Sequence, residues 1–378
     1  MIFPDAMLGM LGGGQLGRMF TLAAHSMGYR VTVLDPDPLS PAGAIADVHL
    51  KAAYQDREAL QQLADTCAAV TTEFENVPAD SLRWLASHCT VRPAGDAVAV
   101  AQDRIREKKF VLSCGLEVAP YAAIENETDI THADAHLFPG ILKRARFGYD
   151  GKGQARVANA TEARKAFVEM GSESCVLEQR INLKCELSAV VARGVDGVGR
   201  SFPIAENQHR NGILDVSIAP ARVAPELAQR AEQWALAIAE NLEYCGVLAV
   251  EFFVTGDDQL LVNEMAPRPH NSGHYTIDAC ATSQFEQQVR TLCGLPLGDP
   301  RLLSPVVMVN LLGDAWQHGQ PQWERVFNVP EAKLHLYGKH EARDSRKMGH
   351  YTVLGASVDA ALKNALAMRT ALYPDWKD

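Results

Sequence analysis

Two glutamates, Glu251 and Glu264, stand in otherwise apolar segments that flank a strong turn signal, Gly256-Asp257-Asp258. Strands Val247–Val254 and Gln259–Glu264, in a hairpin centred between Asp257 and Asp258, set Glu251 opposite Glu264 and Phe253 opposite Val262. Opposed Cβ atoms lie ~4.5–5.5 Å apart, where like charges repel. Two carboxylates so placed call for a cation, and an all-oxygen set suits Mg²⁺ shared with phosphate oxygens. The competing reading leaves one glutamate on a solvated strand end, because a one-residue slip moves a side chain to the other face.

Just beyond comes Arg268-Pro-His270-Asn271-Ser-Gly-His274. Two prolines stiffen a segment that offers guanidinium, imidazole and amide donors within a few residues, a set suited to a small oxyanion. Any one histidine here is more often a satisfied structural residue than a catalyst; the cluster beside Glu264 shifts that balance. Glycines at 148, 151 and 153 surround Asp150 and Lys152, and a strand bearing Lys143 leads into them. A glycine loop closing over polyphosphate beside a lysine is a nucleotide-site arrangement; a surface hairpin is the plain alternative. Gly12-x-Gly14-x-x-Gly17 matches the dinucleotide fingerprint, with Asp35 ending the next strand. Its glycines let main-chain amides approach a phosphate at a helix N-terminus, and a tight turn without ligand is the other reading. Arg343-Asp-Ser-Arg346-Lys347-Met-Gly-His350 gathers cations in an acidic chain, as a solvated loop or as an anion site.

Periodicity predicts the elements that position these groups. Ala6–Leu11, Tyr29–Leu34 and Ala68–Thr72 read as strands, and Leu16, Met19, Phe20, Ala23 and Met27 recur at helical spacing between the first two. This β-α-β order means a doubly wound parallel sheet with ligands at the carboxyl ends of its strands. A single helix is predicted over Asp96–Ser113. Strands Gly140–Arg144, Ser174–Glu178, Glu186–Ala192 and Phe202–Asn207, with helices Thr161–Met170 and Pro225–Leu242, give the middle an α+β character. The last ~70 residues read as a small β-rich module ending in a helix, Ser357–Leu372.

The 378 residues allow two or three domains, and 47% hydrophobic with 22% charged residues is a globular composition. Forty-six acidic against 36 basic residues, a net charge of -10, argue against a nucleic-acid partner. The eight cysteines show no C-x-x-C spacing and read as free thiols in a reducing cytoplasm. Residues 1–10 carry no Lys or Arg, so no signal peptide is expected, and no apolar run approaches a membrane span.

Taken together, the segments resemble the ATP-grasp superfamily and, more closely, the N5-carboxyaminoimidazole ribonucleotide synthetase family of purine biosynthesis. The carriers are Gly12–Met19, Thr72–Asn76, Gln102-Asp-Arg104 with Glu107-Lys108, Lys143 with Gly148–Gln154, Glu178, Glu186, Glu206–His209, Val262–His274 and Arg346–His350. The resemblance implies a doubly wound N-terminal domain over about 1–100. An ATP-grasp unit would follow over about 101–300, with a lid at about 115–185 and a body at about 186–300. A small C-terminal domain over about 301–378 would pack on the body. The implied reaction joins bicarbonate to the amine of 5-aminoimidazole ribonucleotide through carboxyphosphate, releasing ADP and phosphate.

The resemblance also assigns roles by position. Arg104 and Lys143 would contact ATP phosphates or neighbouring groups, and Gly148, Tyr149, Asp150, Gly151, Lys152, Gly153 and Gln154 would form the lid loop. Glu178, Gln179, Arg180 and Ile181 would line the adenine pocket and Glu186 would hold the ribose, with His209 and Asn263 in the nucleotide site. Glu251 and Glu264 would ligate one or two Mg²⁺, with Mn²⁺ as a substitute. Many ATP-grasp members carry an Asn two residues after the second metal-binding Glu; here that position is Ala266. Arg268, His270 and Asn271 would orient bicarbonate or carboxyphosphate, with Tyr149, Asp150 and Lys347 facing the reacting centre. Gly12, Gly14, Gln15, Leu16, Gly17, Arg346 and Lys347 would cradle the ribonucleotide phosphate, with Glu73 and Asn76 near its ribose. Asp150 is the candidate proton acceptor at the amine. A homodimer in the cytoplasm, acting on small molecules away from membranes, is the family expectation.

Three alternatives stay open on the residues alone. A formate-dependent transformylase would replace bicarbonate by formate. An NAD-dependent dehydrogenase would use Gly12–Gly17 and Asp35 but leaves the second half of the chain unexplained. A non-catalytic nucleotide sensor would have no use for the Glu251/Glu264 pair.

Overall fold

The computed structural model describes residues 1–146, 148 and 153–373 of the chain. Tyr149, Asp150, Gly151 and Lys152 lie outside the described residues.

Strands β1 (Met7–Leu11), β2 (Arg30–Leu34), β3 (Val48–Leu50), β4 (Ala69–Thr72) and β5 (Thr90–Val91) are accompanied by helices α1 (Gln15–Ser26) after β1, α2 (Arg57–Thr66) after β3 and α3 (Ala79–Ala86) after β4. The strands pair in parallel in the order β3-β2-β1-β4-β5. The direction of the strand order reverses between β1 and β4, so their carboxyl ends open a crevice there. The Gly12–Gly17 turn and Glu73 are the residues that follow those two strands.

The helix expected over 96–113 is two: α4 (Gly95–Ala101) and α5 (Arg104–Ser113). Asp103 is extended, with φ -138°, and its carboxylate accepts from the Ile105 and Arg106 amides at 3.0 and 3.2 Å, which starts a new helix. Gln102 turns away to donate to the Glu75 and Val77 carbonyls at 2.6 and 2.7 Å.

A four-stranded antiparallel sheet follows, built from β6 (Tyr121–Ile124), β7 (Gly140–Arg144), β8 (Gln154–Val157) and β9 (Cys175–Gln179) in the order β6-β9-β7-β8. Helices α6 (Glu127–His132) and α7 (Ala160–Glu169) accompany it, and Ala163, Ala166 and Phe167 of α7 pack onto Leu142 and Leu177.

The third sheet is the largest among the described residues. It begins with β10 (Leu183–Arg193), β11 (Gly199–Ser201), β12 (Ala205–Arg210) and β13 (Ile213–Ala219). After α8 (Pro225–Asn241) come β14 (Gly246–Thr255) and β15 (Leu260–Ala266), then α9 (Thr276–Ala279) and α10 (Gln284–Cys293). The C-terminal part holds β16 (Val306–Leu312), α11 (Glu324–Phe327), β17 (Ala332–Leu336), β18 (Lys347–Leu354) and α12 (Val358–Leu372). β16 pairs antiparallel with β13, so the C-terminal strands extend the same sheet, in the order β15-β14-β10-β12-β13-β16-β18-β17.

The segments share cores. One face of the parallel sheet buries Leu8, Met10, Val31 and Val33 against Phe20 of α1 and also against Phe285, Val289 and Leu292 of α10. The other face packs on α2 and α3 through Leu60, Leu63, Leu82 and Leu85. Among the described residues no helix is long and apolar enough to cross a membrane.

Candidate functional site

The β14–β15 hairpin does set Glu251 opposite Glu264, but not by the expected register. Phe253 faces Leu261, not Val262, and Val254 faces Leu260. The turn is therefore centred on Asp257, and a bulge between Glu251 and Phe252 restores the glutamate pair. The extra residue is on β15. Val262 and Met265 both enter the core under α8, while Asn263 and Glu264, consecutive in sequence, are both half-buried on the cleft side.

Glu264 pairs with Arg104 at 2.6 Å and Glu251 with His270 at 3.2 Å. Burial and the neighbouring Glu264 charge push the Glu251 carboxyl up. Burial acts on Glu264 too, but the Arg104 and Lys143 cations outweigh it and hold that carboxyl well below the usual range. The Asn263 Oδ1 is buried without a hydrogen-bond partner among the described residues. Two carboxylates and an unsatisfied amide oxygen form a hard-oxygen donor set that fits Mg²⁺ or Mn²⁺.

Helix α5 supplies one face to this centre. Arg104, Glu107 and Lys108 stand at i, i+3 and i+4, so all three point the same way. Lys108 reaches Glu178 of β9 at 3.0 Å, and Lys143 of β7 reaches the other oxygen of the same carboxylate at 2.7 Å. Burial would raise the Glu178 carboxyl, yet the two ammonium groups hold it at about 2. Glu178 thus fixes two lysines at the end of β9. The amides of Gln179 and Arg180 are also taken, by the Pro120 and Pro139 carbonyls at 2.9 and 3.0 Å. Ile181 follows them, half-buried. Of the lid glycines, Gly153 is described with φ +72° and Gly148 is half-buried; Gln154 opposes Lys143 at the start of β8.

Across β10 and β12, His209 Nδ1 meets Glu186 Oε2 at 3.1 Å. Burial lowers the affinity of this imidazole for a proton, but Glu186 and Glu251 prevail and raise it. His270 goes the other way: burial, Arg268 and Lys347 drive it well below the ordinary histidine value. Its Nδ1 accepts from the Ser272 amide at 3.3 Å, so the neutral ring carries its proton on Nε2, toward Glu251. Arg268 is held by Glu75 at 2.5 Å, a contact from the loop after β4 to the segment after β15. Asn271 is buried, and neither side-chain amide atom has a hydrogen-bond partner among the described residues.

The glycine turn is occupied from within. Glu73 accepts from the amides of Gly14 and Gly17, the latter at 2.7 Å, and Asp35 accepts from Gly13 at 2.6 Å. In this structure the amides of Gly13, Gly14 and Gly17, expected near a phosphate, embrace carboxylates. The amides of Gln15 and Leu16 begin the first turn of α1. Asp35 also accepts from Tyr54 at 2.7 Å, so it is not the ribose acceptor that a dinucleotide site requires. Asn76 lies half-buried on the Glu73 loop.

Lys339 went unnoticed in the sequence. Its Nζ donates to Gln15 Oε1 at 2.8 Å and to the Lys347 carbonyl at 2.6 Å, joining the β17–β18 loop to the glycine turn. Gly338 beside it lies against the Arg18 guanidinium. Arg346 instead donates to the Glu341 carbonyl at 2.8 Å within its own loop. A lysine shortly before a cation-rich segment was the available signal. Lys108 and Glu107 were visible only as part of a motif.

Comparison with known proteins agrees with this architecture. Residues 6–102 match the ribonucleotide synthetase preATP-grasp domain, 109–285 the ATP-grasp domain, and 306–364 the phosphoribosylaminoimidazole carboxylase C-terminal domain. The N5-carboxyaminoimidazole ribonucleotide synthase of Bacillus subtilis is 47% identical over 354 residues, covering 93% of this chain and 92% of that protein. The structure of N5-carboxyaminoimidazole synthetase from Staphylococcus aureus complexed with ADP superposes with TM-score 0.91 at 39% identity, covering 97% of this chain and 98% of that one. The enzyme from Aspergillus clavatus in complex with ADP and 5-aminoimidazole ribonucleotide gives TM-score 0.90 at 31% identity, covering 97% and 98%. With these identities across nearly its whole length, the chain belongs to the N5-carboxyaminoimidazole ribonucleotide synthase family.

Proposed function

We propose that this chain catalyses ATP-dependent carboxylation of 5-aminoimidazole ribonucleotide with bicarbonate, giving N5-carboxyaminoimidazole ribonucleotide, ADP and phosphate in purine biosynthesis. The observation that carries the reading is the opposed Glu251–Glu264 pair, flanked by Arg104, Lys143 and His270.

In this reading a bicarbonate oxygen attacks the γ-phosphorus and ADP leaves, forming carboxyphosphate. The ribonucleotide amine then attacks the carboxyl carbon, the bond from that carbon to the phosphate oxygen breaks, and phosphate departs. The amine loses a proton, with Asp150 as candidate acceptor. When bound, Mg²⁺ on Glu251, Glu264 and Asn263 neutralises charge on the transferring phosphoryl group. Arg104 and Lys143 are already held by carboxylates near where phosphate oxygens would lie, so they need little reorganisation. Glu186 and His209 fit the nucleotide ribose. Neutral His270, with Arg268 and Asn271, offers hydrogen-bond donors to bicarbonate and carboxyphosphate. Lys339 and Lys347, with the Gln15 and Leu16 amides, suit the ribonucleotide phosphate, while Glu73 and Asn76 flank its ribose. The other assignments, to the 148–154 loop, the 178–181 segment and Arg346, belong to the same reading.

The division near residues 100 and 300, a homodimer and a cytoplasmic location complete the proposal. Eight free thiols support the last, and light scattering tests the second. The central experiment is coupled ADP release with and without the ribonucleotide, and with bicarbonate or formate. Release that needs both ribonucleotide and bicarbonate is expected; stimulation by formate alone would overturn the proposal.

A further inference from the structure

β15 is the edge strand of the large sheet, so its outward amides need acceptors from elsewhere. Two are described. The Val262 amide donates to the Glu117 carbonyl at 2.8 Å, where Val118 and Val262 form a parallel bridge. The Met265 amide donates to the Glu107 carboxylate at 2.5 Å. Outward amides on a regular strand recur every second residue, so the next after 262 would be 264. The bulge moves it to 265, out of step with a parallel main-chain partner. A side chain must reach it, and Glu107 does.

Glu107 is buried, at 3% exposure, on the α5 face that also carries Arg104 and Lys108. Its partner amide is next in sequence to Glu264. Both anchors of the edge therefore come from α5 and the residues just after it.

We propose that Glu107 is a positioning residue: by accepting the displaced Met265 amide it stabilises the β15 bulge, and so keeps Asn263 and Glu264 together on the cleft face opposite Glu251. The inference rests on the reading of Glu251 and Glu264 as metal ligands. It needs the acceptor oxygen of Glu107 rather than its charge. A glutamine should serve, and a leucine, which strands a buried N–H, should not.

The test uses the full chain carrying Glu107→Leu or Glu107→Gln, with two measurements. Hydrogen exchange over 260–266 in metal-free protein reports the bulge. Mn²⁺ titration followed by electron paramagnetic resonance, with a non-hydrolysable ATP analogue present, reports the site. Glu107→Leu should lose about tenfold in protection and about tenfold in Mn²⁺ affinity, whereas Glu107→Gln should stay within about twofold of the parent in both. Should the leucine variant fail to fold, Glu107→Asp withdraws the acceptor by one methylene and should move both readings the same way. The inference is overturned if exchange is unchanged without the acceptor, if Mn²⁺ affinity is unchanged while exchange quickens, or if glutamine is as damaging as leucine. Mn²⁺ binding that survives Glu264→Gln would instead refute the metal reading, with the exchange data still deciding whether Glu107 holds the bulge.

Discussion

At the end of β4, Glu73 is enclosed by the main-chain amides of Gly14 and Gly17. At the β14–β15 hairpin, Glu251 and Glu264 face each other and lean on the side-chain partners His270 and Arg104. Amides belong to the scaffold and stay when a ligand arrives. Side-chain partners can swing away and free carboxylate oxygens. The electrostatics differ in the same sense. Burial raises the Glu73 carboxyl in spite of its two amides, and it raises Glu251 too, whereas the full charges of Arg104 and Lys143 overcome the burial of Glu264. One end of the cleft is thus a fixed frame and the other a pair of carboxylates held by exchangeable partners.

The sharpest way to break this contrast is Glu264→Gln. Removing half of the ion pair site should cut substrate-dependent ADP release by about 10²–10³-fold, with the fold intact by circular dichroism. A loss below tenfold would mean that the hairpin is only another frame. Stability separates the two ends next. Glu73→Gln keeps one acceptor of two, so urea unfolding should show a loss of about 2 kcal/mol. Glu251→Gln removes a charge that burial and Glu264 already disfavour, so the metal-free protein should lose nothing in the same assay. Equal losses would erase the distinction.

A smaller effect sharpens the picture at the glycine turn. Lys339→Met should raise the KM for the ribonucleotide about tenfold and leave that for ATP unchanged, since the charge sits beside Gln15 at the glycine turn. The smallest effect concerns acid stability. The Glu178 carboxyl falls from 4.5 in the unfolded chain to about 2, so its contribution is complete above about 4.5 and is lost as the pH falls toward about 2. Lys143→Met removes one of the cations responsible and should move the acid-unfolding midpoint up by about half a pH unit. An unmoved midpoint would show that Lys108 alone suffices.

Local patterns in the sequence carried much of this. The parallel strands, the glycine turn, the hairpin and the Glu251–Glu264 opposition are legible because each depends on a few consecutive residues. The register around that opposition is not. The bulge at Asn263 depends on Met265 preferring the core and on Glu107, more than 150 residues earlier, meeting its amide. The break at Gln102–Asp103 is equally hidden, because Asp103 looks like any polar residue in a helix until its capping geometry is seen. Glu73 bonding back to Gly14 and Gly17, and Lys339 meeting Gln15, join residues far apart in the chain. Such contacts leave no spacing to read. Their positions within a motif say only that something is required there.

The pairing of β16 with β13 has a consequence for how the chain survives in solution. β13 is buried along its whole length, and β16 covers its outer hydrogen-bonding edge. A chain ending near residue 300 would bare that apolar edge as a template for intermolecular strand addition. The last segment therefore acts as a guard against aggregation, and nicking between β13 and β16 should be harmless only while the two fragments stay together.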